Sequence, residues 1–155
     1  MLTLEKILIP VDFSDSSNLA LVYGATLVLE HGSKLVLLAV VEQEKPDIIG
    51  LEDRLGVIKK WEQEHSVKAR EQLNAIKDER MLQNLEPELI VKVGNAAEEI
   101  MQSATENEVN LIIMGAHGES GFKKGWLGST AYEVVRKAPC PVLTVKSQQG
   151  LGFVV

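Results

Sequence analysis

Strand-forming runs and helix-forming stretches alternate strictly along this chain, and that alternation restricts the fold more than any other feature. Apolar runs occur at Lys6 to Val11, Ser33 to Val41, Leu89 to Val93, Asn110 to Met114 and Pro141 to Lys146. Each is short and rich in Val, Ile or Leu, as buried strands are. Between them lie four stretches with helical patterning. A β-α-β-α-β-α-β-α-β order implies right-handed crossovers and a parallel sheet with helices on both faces. The expectation is an α/β protein with a single open five-stranded parallel sheet. A chain of 155 residues suits one such domain with a sizeable core. The domain reads as residues 1–147, and residues 148–155 as a C-terminal tail ending in Phe153-Val154-Val155.

Local signals refine the elements. Pro10 lacks a backbone donor and should help stop the first ladder. The cluster Ser14-Asp15-Ser16-Ser17-Asn18 reads as a helix start with Ser14 as N-cap. Leu19, Val22, Tyr23 and Leu27 recur at helical spacing, the signature of an inward face. Gly32 suits the left-handed position that ends a helix. The second run is apolar on both faces, as in a central strand. Leu51, Leu55, Ile58, His65, Ala69, Leu73 and Ile76 mark a helix interrupted by Gly56, either one bent piece or two. Asn95 is the expected N-cap of the next helix, with Glu98 at its third position and Ile100, Met101 and Ala104 inward. The last helix should end before Pro139.

The stretch after the fourth run carries the chemistry. It reads L-I-I-M-G-A-H-G-E-S-G-F-K-K-G-W-L-G-S-T-A-Y from Leu111 to Tyr132. A buried strand gives way to a glycine-rich loop, then to a helix start at Thr130, where Thr130 and Glu133 have capping-box spacing. Glycines let backbone approach a ligand closely. Free N–H groups in such a loop form anion-binding nests, and the following helix adds unpaired donors and the positive end of its dipole. Ser129 and Thr130 add hydroxyls. A phosphate chain fits this arrangement. Neither the Walker nor the dinucleotide glycine fingerprint is present.

Charge and cysteine content exclude other classes. A net charge of −6 argues against general nucleic-acid binding. No apolar stretch reaches transmembrane length, and no secretory signal is visible. Cys140 is the only cysteine, so no intrachain disulfide or cysteine-rich metal motif is available. A cytoplasmic location is the default expectation.

Gly115, Gly118, Gly128 and Ser129 give the spacing G-x2-G-x9-G-S, which resembles the ATP-binding signature of the universal stress protein family. The resemblance extends to K-I-L-I-P-V-D-F-S near the start, V-K-V-G-N-A-A-E-E-I in the middle and G-S-T-A-Y-E-V-V-R-K-A-P-C-P-V-L-T-V-K near the end. It implies a Rossmann-like sheet of strand order 3-2-1-4-5, with the first and fourth strands at the switch point where ligands bind. It also implies an ATP pose, with ADP or AMP as alternatives and Mg2+ or Mn2+ accompanying the nucleotide. Pro10, Val11 and Asp12 would flank the adenosine, Asp12 meeting the ribose and helping to hold the divalent ion. Backbone near Val40 would meet the adenine edge. Met114, Gly115, His117 and Gly118 would flank the ribose and phosphates, and Gly128, Ser129 and Thr130 would hold the phosphates.

Each residue also has a plainer reading. Asp12 suits a turn or cap before the first helix, and His117 a structural or solvated position. Lys123 and Lys124 either neutralise a γ-phosphate or form a solvated loop tip. Glu42 and Glu44, near the expected ligand end, either bear on metal or nucleotide binding or form a solvated loop. The solvated reading is preferred for both pairs. Trp126 either covers the glycine loop or packs on a helix. Trp61 and His65 lie one turn apart and read as a packing face. Cys140 reads as a small buried residue.

The expected function is a nucleotide-dependent regulatory module of the stress response, with at most slow ATP hydrolysis because no general base is evident. A slow ATPase or nucleotidyl-type enzyme and a nucleotide-independent interaction protein are the alternatives. The resemblance also implies a homodimer through the fifth strand, Val142 to Val145, whose position at a sheet edge would otherwise be a liability.

Overall fold

The computed structural model describes residues 3–42, 51–118 and 127–147, with only the helical backbone for 51–54. Its elements are β1 (Lys6–Pro10), α1 (Asp15–His31), β2 (Lys34–Val41), α2 (Leu51–Lys77), β3 (Glu88–Val93), α3 (Ala96–Glu106), β4 (Leu111–Gly115), α4 (Ser129–Lys137) and β5 (Val142–Val145). All four pairings are parallel, and the order is β3-β2-β1-β4-β5. Both the five-stranded α/β sheet and the order implied by the resemblance are found.

The period-two geometry of strands sorts the core into two layers. Ile7, Ile9, Leu35, Leu37 and Ile113 face α1 and α2, where Leu21, Val28, Leu73 and Ile76 meet them. Leu8, Val36, Leu38, Ile112 and Met114 face α3 and α4, where Ile100, Ala104 and Val134 meet them. Full burial of each large aliphatic side chain contributes roughly 1.5–3 kcal/mol, so the central strands supply much of the stability.

Several local expectations are met. Ser14 caps α1 by accepting from Ser17 N, and Gly32 ends it at φ 67°. Asn95 caps α3 by accepting from Glu98 N, and Ile100 and Ala104 are buried beneath it, with Met101 half-buried.

Others are corrected. Of the four α1 residues noted for helical spacing, Leu19 and Leu27 pack half-buried against the core, whereas Val22 and Tyr23 are each 47% exposed. The fully buried face includes Ser17, Ala20, Leu21, Gly24, Ala25 and Val28. The reason is the closeness of the helix to the sheet. A Cβ on Gly24 would fall 2.2 Å from Ile9 Cδ1, so small residues must face inward. The helix α2 runs unbroken through Gly56. Among its described side chains Ala69, Leu73 and Ile76 are buried and Trp61 packs partly buried against the core, while Leu55 is 65% exposed and His65 is exposed. At 1.5 Å per residue, a 27-residue helix outruns the six-residue β3 beside it. Trp61 and His65 do pack together, with stacked rings 3.9 Å apart. Pro10 does close β1, with one further bond beyond it from Val11 N to Leu38 O at 2.8 Å.

The outer edge of β3 is partly covered. The bond from Gly94 N to Val41 O fixes which residues point across to β2, and alternation turns the Leu89 carbonyl outward. The Arg70 guanidinium donates to that carbonyl at 2.8 Å.

Candidate functional site at the β1–β4 switch point

The strand order reverses between β1 and β4, so their carboxyl ends border a crevice. Pro10 and Val11 are buried at the end of β1, and Asp12 is exposed beyond them. Phe13 then takes φ 64°, unusual for a bulky residue, and turns the chain into α1. Asp12 Oδ1 accepts from Ser14 N at 3.0 Å and from the Ser14 hydroxyl. The turn reading of Asp12 is thus correct for one oxygen. The other oxygen, Oδ2, lies 3.2 Å from where a Cβ on Gly118 would sit.

Across the crevice, Met114 is buried and Gly115 ends β4. A Cβ on Gly115 would lie 2.7 Å from Ser16 Cβ and 2.9 Å from the Ser16 carbonyl carbon. Gly115 therefore lets β4 press against the start of α1, a packing role that the spacing alone did not separate from ligand contact. Ala116 N donates to Val145 O at 2.8 Å, and Ala116 O accepts from Gly128 N at 2.7 Å. The first bond extends the β4–β5 pair, and the second brings the two ends of the glycine loop together. His117 Nε2 is buried without a hydrogen-bond partner among the described residues.

Gly128 completes the constellation. A Cβ there would lie 3.2 Å from Ala116 O and 3.7 Å from Gly118 N. Gly128 is the N-cap of α4, at φ −61° and ψ 156°, with no side-chain cap hydrogen bond. The expected capping box of Thr130 and Glu133 does not form, because the N-cap is Gly128, two residues before Thr130. Thr130 stands at the second helical position, too far in for its hydroxyl to cap. First-turn N–H groups have no intrahelical acceptor, and here the cap supplies none. The N-terminus of α4 is a donor set beside Gly118 and Asp12, suited to an anion.

The end of β2 forms the third wall. After Val11 N bonds Leu38 O, β1 turns away while β2 continues to Val41. Val41 O accepts from Gly94 N on the β3 side. Alternation therefore directs the Val40 N–H and C=O to the opposite side, toward the crevice.

Some expected residues play other parts. Glu42 is not simply solvated: its Oε1 accepts from Ala96 N at 3.2 Å. Cys140 is half-buried, and burial pushes its thiol pKa up, against a smaller lowering by the Ile112 backbone. Glu44, Lys123, Lys124, Trp126 and the tail 148–155 lie outside the described residues. Sequence reasoning missed the small residues Ser16 and Ser17 as the surface against which Gly115 closes. Their size was visible, but their partner was not.

A parallel α/β sheet with a glycine-spaced loop at its switch point defines a class of proteins that meet ligands beyond their strand ends. Within that class the chain belongs to the universal stress protein family, whose profile matches residues 3–146. The universal stress protein MJ0577 of Methanocaldococcus jannaschii is 31% identical over 154 residues, covering 92% of this chain and 94% of that protein. Its solved structure superposes with a TM-score of 0.81 at 28% identity, covering 94% of this chain and 98% of that one. A family protein from Arabidopsis thaliana with AMP bound shares the fold, with a TM-score of 0.62 at 19% identity over 94% of this chain and 93% of that one. A universal stress protein in complex with cAMP does so with a TM-score of 0.61 at 18% identity, over 94% and 99%.

Proposed function

We propose that this protein binds an adenine nucleotide, ATP first with ADP or AMP as alternatives, and acts as a nucleotide-dependent regulatory module in a stress response. The observation that carries this reading is the meeting of Asp12, Gly118 and Gly128 at the β1–β4 switch point, beside the uncapped start of α4. Pro10, Val11 and Asp12 border the nucleoside, with Asp12 Oδ2 aimed at ribose hydroxyls. The Val40 carbonyl accepts from the adenine amino group, and its N–H donates to ring N1. Met114, Gly115, His117 and Gly118 line the ribose and phosphates, the buried His117 Nε2 gaining the partner it lacks among the described residues. Gly128, Ser129 and Thr130 hold the phosphates. Family proteins with AMP and with cAMP support an adenine ligand.

The described residues include no group of three or more His, Cys, Asp or Glu suited to a metal ion. A Mg2+ or Mn2+ ion would arrive with the phosphates and find its carboxylate in Asp12. Hydrolysis is expected to be slow, since Asp12 is engaged with Ser14 through Oδ1. No helix among the described residues is long and apolar enough to cross a membrane, and we place the protein in the cytoplasm. We also propose a homodimer through the exposed edge of β5, where Leu143 is 39% exposed.

Calorimetric titration with ATP, ADP and AMP in the presence of Mg2+ tests the nucleotide reading. The wild-type protein should bind, and Gly118→Val and Gly128→Val should each weaken binding by about tenfold or more while keeping the circular dichroism of the parent. Absence of wild-type binding at millimolar nucleotide would overturn it.

A further inference from the structure

Glu42 stands one residue beyond β2, at the surface. Its carboxylate accepts the N–H of Ala96, the first residue of α3, at 3.2 Å. That N–H is one of the four that a helix start leaves without an intrahelical acceptor. Asn95 takes another, its Oδ1 accepting from Glu98 N at 3.1 Å. A carboxylate here also meets the positive end of the helix dipole. One residue earlier, Val41 O accepts from Gly94 N at 3.0 Å. Two successive residues therefore tie the end of β2 to the turn between β3 and α3. Val40, whose peptide groups face the crevice, directly precedes them.

We infer that Glu42 is a positioning residue for the nucleotide base: it holds the end of β2 against α3 and so fixes the Val40 peptide that reads the base edge. This rests on the nucleotide reading above. Asp12, Gly118 and Gly128 belong to the turns after β1 and β4 and to α4, so loss of Glu42 leaves the ribose and phosphate contacts in place. A pure helix cap would behave differently. It would lower the stability of α3 and leave base selection untouched.

AMP and inosine monophosphate separate the two roles, because they differ only at the base edge. Inosine carries an oxo group where adenine carries its amino group, and N1–H where adenine has an acceptor. Affinities for both are measured by calorimetry for wild type, Glu42→Ala, Glu42→Gln and Asn95→Ala. Wild type should prefer AMP. In Glu42→Ala the AMP affinity should fall by about fivefold with inosine monophosphate nearly unchanged, so the preference collapses. Glu42→Gln keeps an acceptor oxygen and should keep the preference. Asn95→Ala weakens the same helix start without touching β2, and should keep it too. An unchanged preference in Glu42→Ala, equal losses for both nucleotides, or the same collapse in Asn95→Ala would overturn the positioning role while leaving nucleotide binding intact. Wild-type protein that binds neither nucleotide would overturn the nucleotide reading and this inference together.

Discussion

Asp12 shows how much a single residue can owe to its place at a strand end. One oxygen holds the turn through the Ser14 amide, and the other borders Gly118. Residue type and position were enough to single it out from sequence, as were the spaced glycines. Their division of labour was not legible, because it depends on what lies opposite each one. Gly115 faces Ser16, Gly118 faces Asp12 and Gly128 faces the Ala116 carbonyl. Cys140 makes a separate prediction at this scale. Burial disfavours its thiolate and raises its pKa, so it should react with iodoacetamide at pH 8 more slowly than free cysteine, with the rate climbing as pH rises further. The sign carries over to stability: the protonated form is favoured by folding, and that contribution fades as pH rises through the folded pKa. Labelling at the rate of free cysteine would contradict the burial argument.

Among the elements, strands were read more accurately than helix faces. The buried strands β1, β2 and β4 announce themselves by apolar runs, the more exposed β3 and β5 by runs broken by Lys92 and Thr144, and all five were located to within a residue or so at each end. Helix α1 was read only in part: Leu19 and Leu27 pack against the core, but Val22 and Tyr23 are exposed, because large apolar residues were given more weight than small ones. The series Ser17, Ala20, Leu21, Gly24, Ala25 and Val28 has the same period as Leu19, Val22, Tyr23 and Leu27, and only the distance between helix and sheet chooses between them. That distance is a tertiary property. Caps are local, and Ser14 and Asn95 were read correctly for that reason. The Thr130 cap failed because Gly128 starts α4 without a side-chain acceptor. The energetic consequence is measurable at Asn95: Asn95→Ala should cost about 1 kcal/mol in urea denaturation, as the loss of an N-cap acceptor typically does. An unchanged midpoint would contradict a stabilising role for the bond from Glu98 N to Asn95 Oδ1.

At the scale of the whole molecule, strand order was accessible through family resemblance and not through the pattern of alternation, which is compatible with several orders. The proposed dimer belongs to this scale as well. Ala116 N bonds Val145 O across the β4–β5 pair, so alternation points the Thr144 N–H outward from the sheet. Thr144→Pro removes that outward donor and spares the bonds to β4, an arrangement edge strands tolerate. Light scattering should show wild-type dimers and Thr144→Pro monomers of unchanged circular dichroism. A dimer that survives the substitution would place the contact elsewhere. Arg70 gives the opposite edge a different character. Its guanidinium occupies an outward carbonyl of β3, and a strand approaching from that side meets a side chain where it needs a backbone partner. The Arg70 contact disfavours strand addition at that point of β3, so the proposed pairing through β5 would close at two copies instead of running on into fibres.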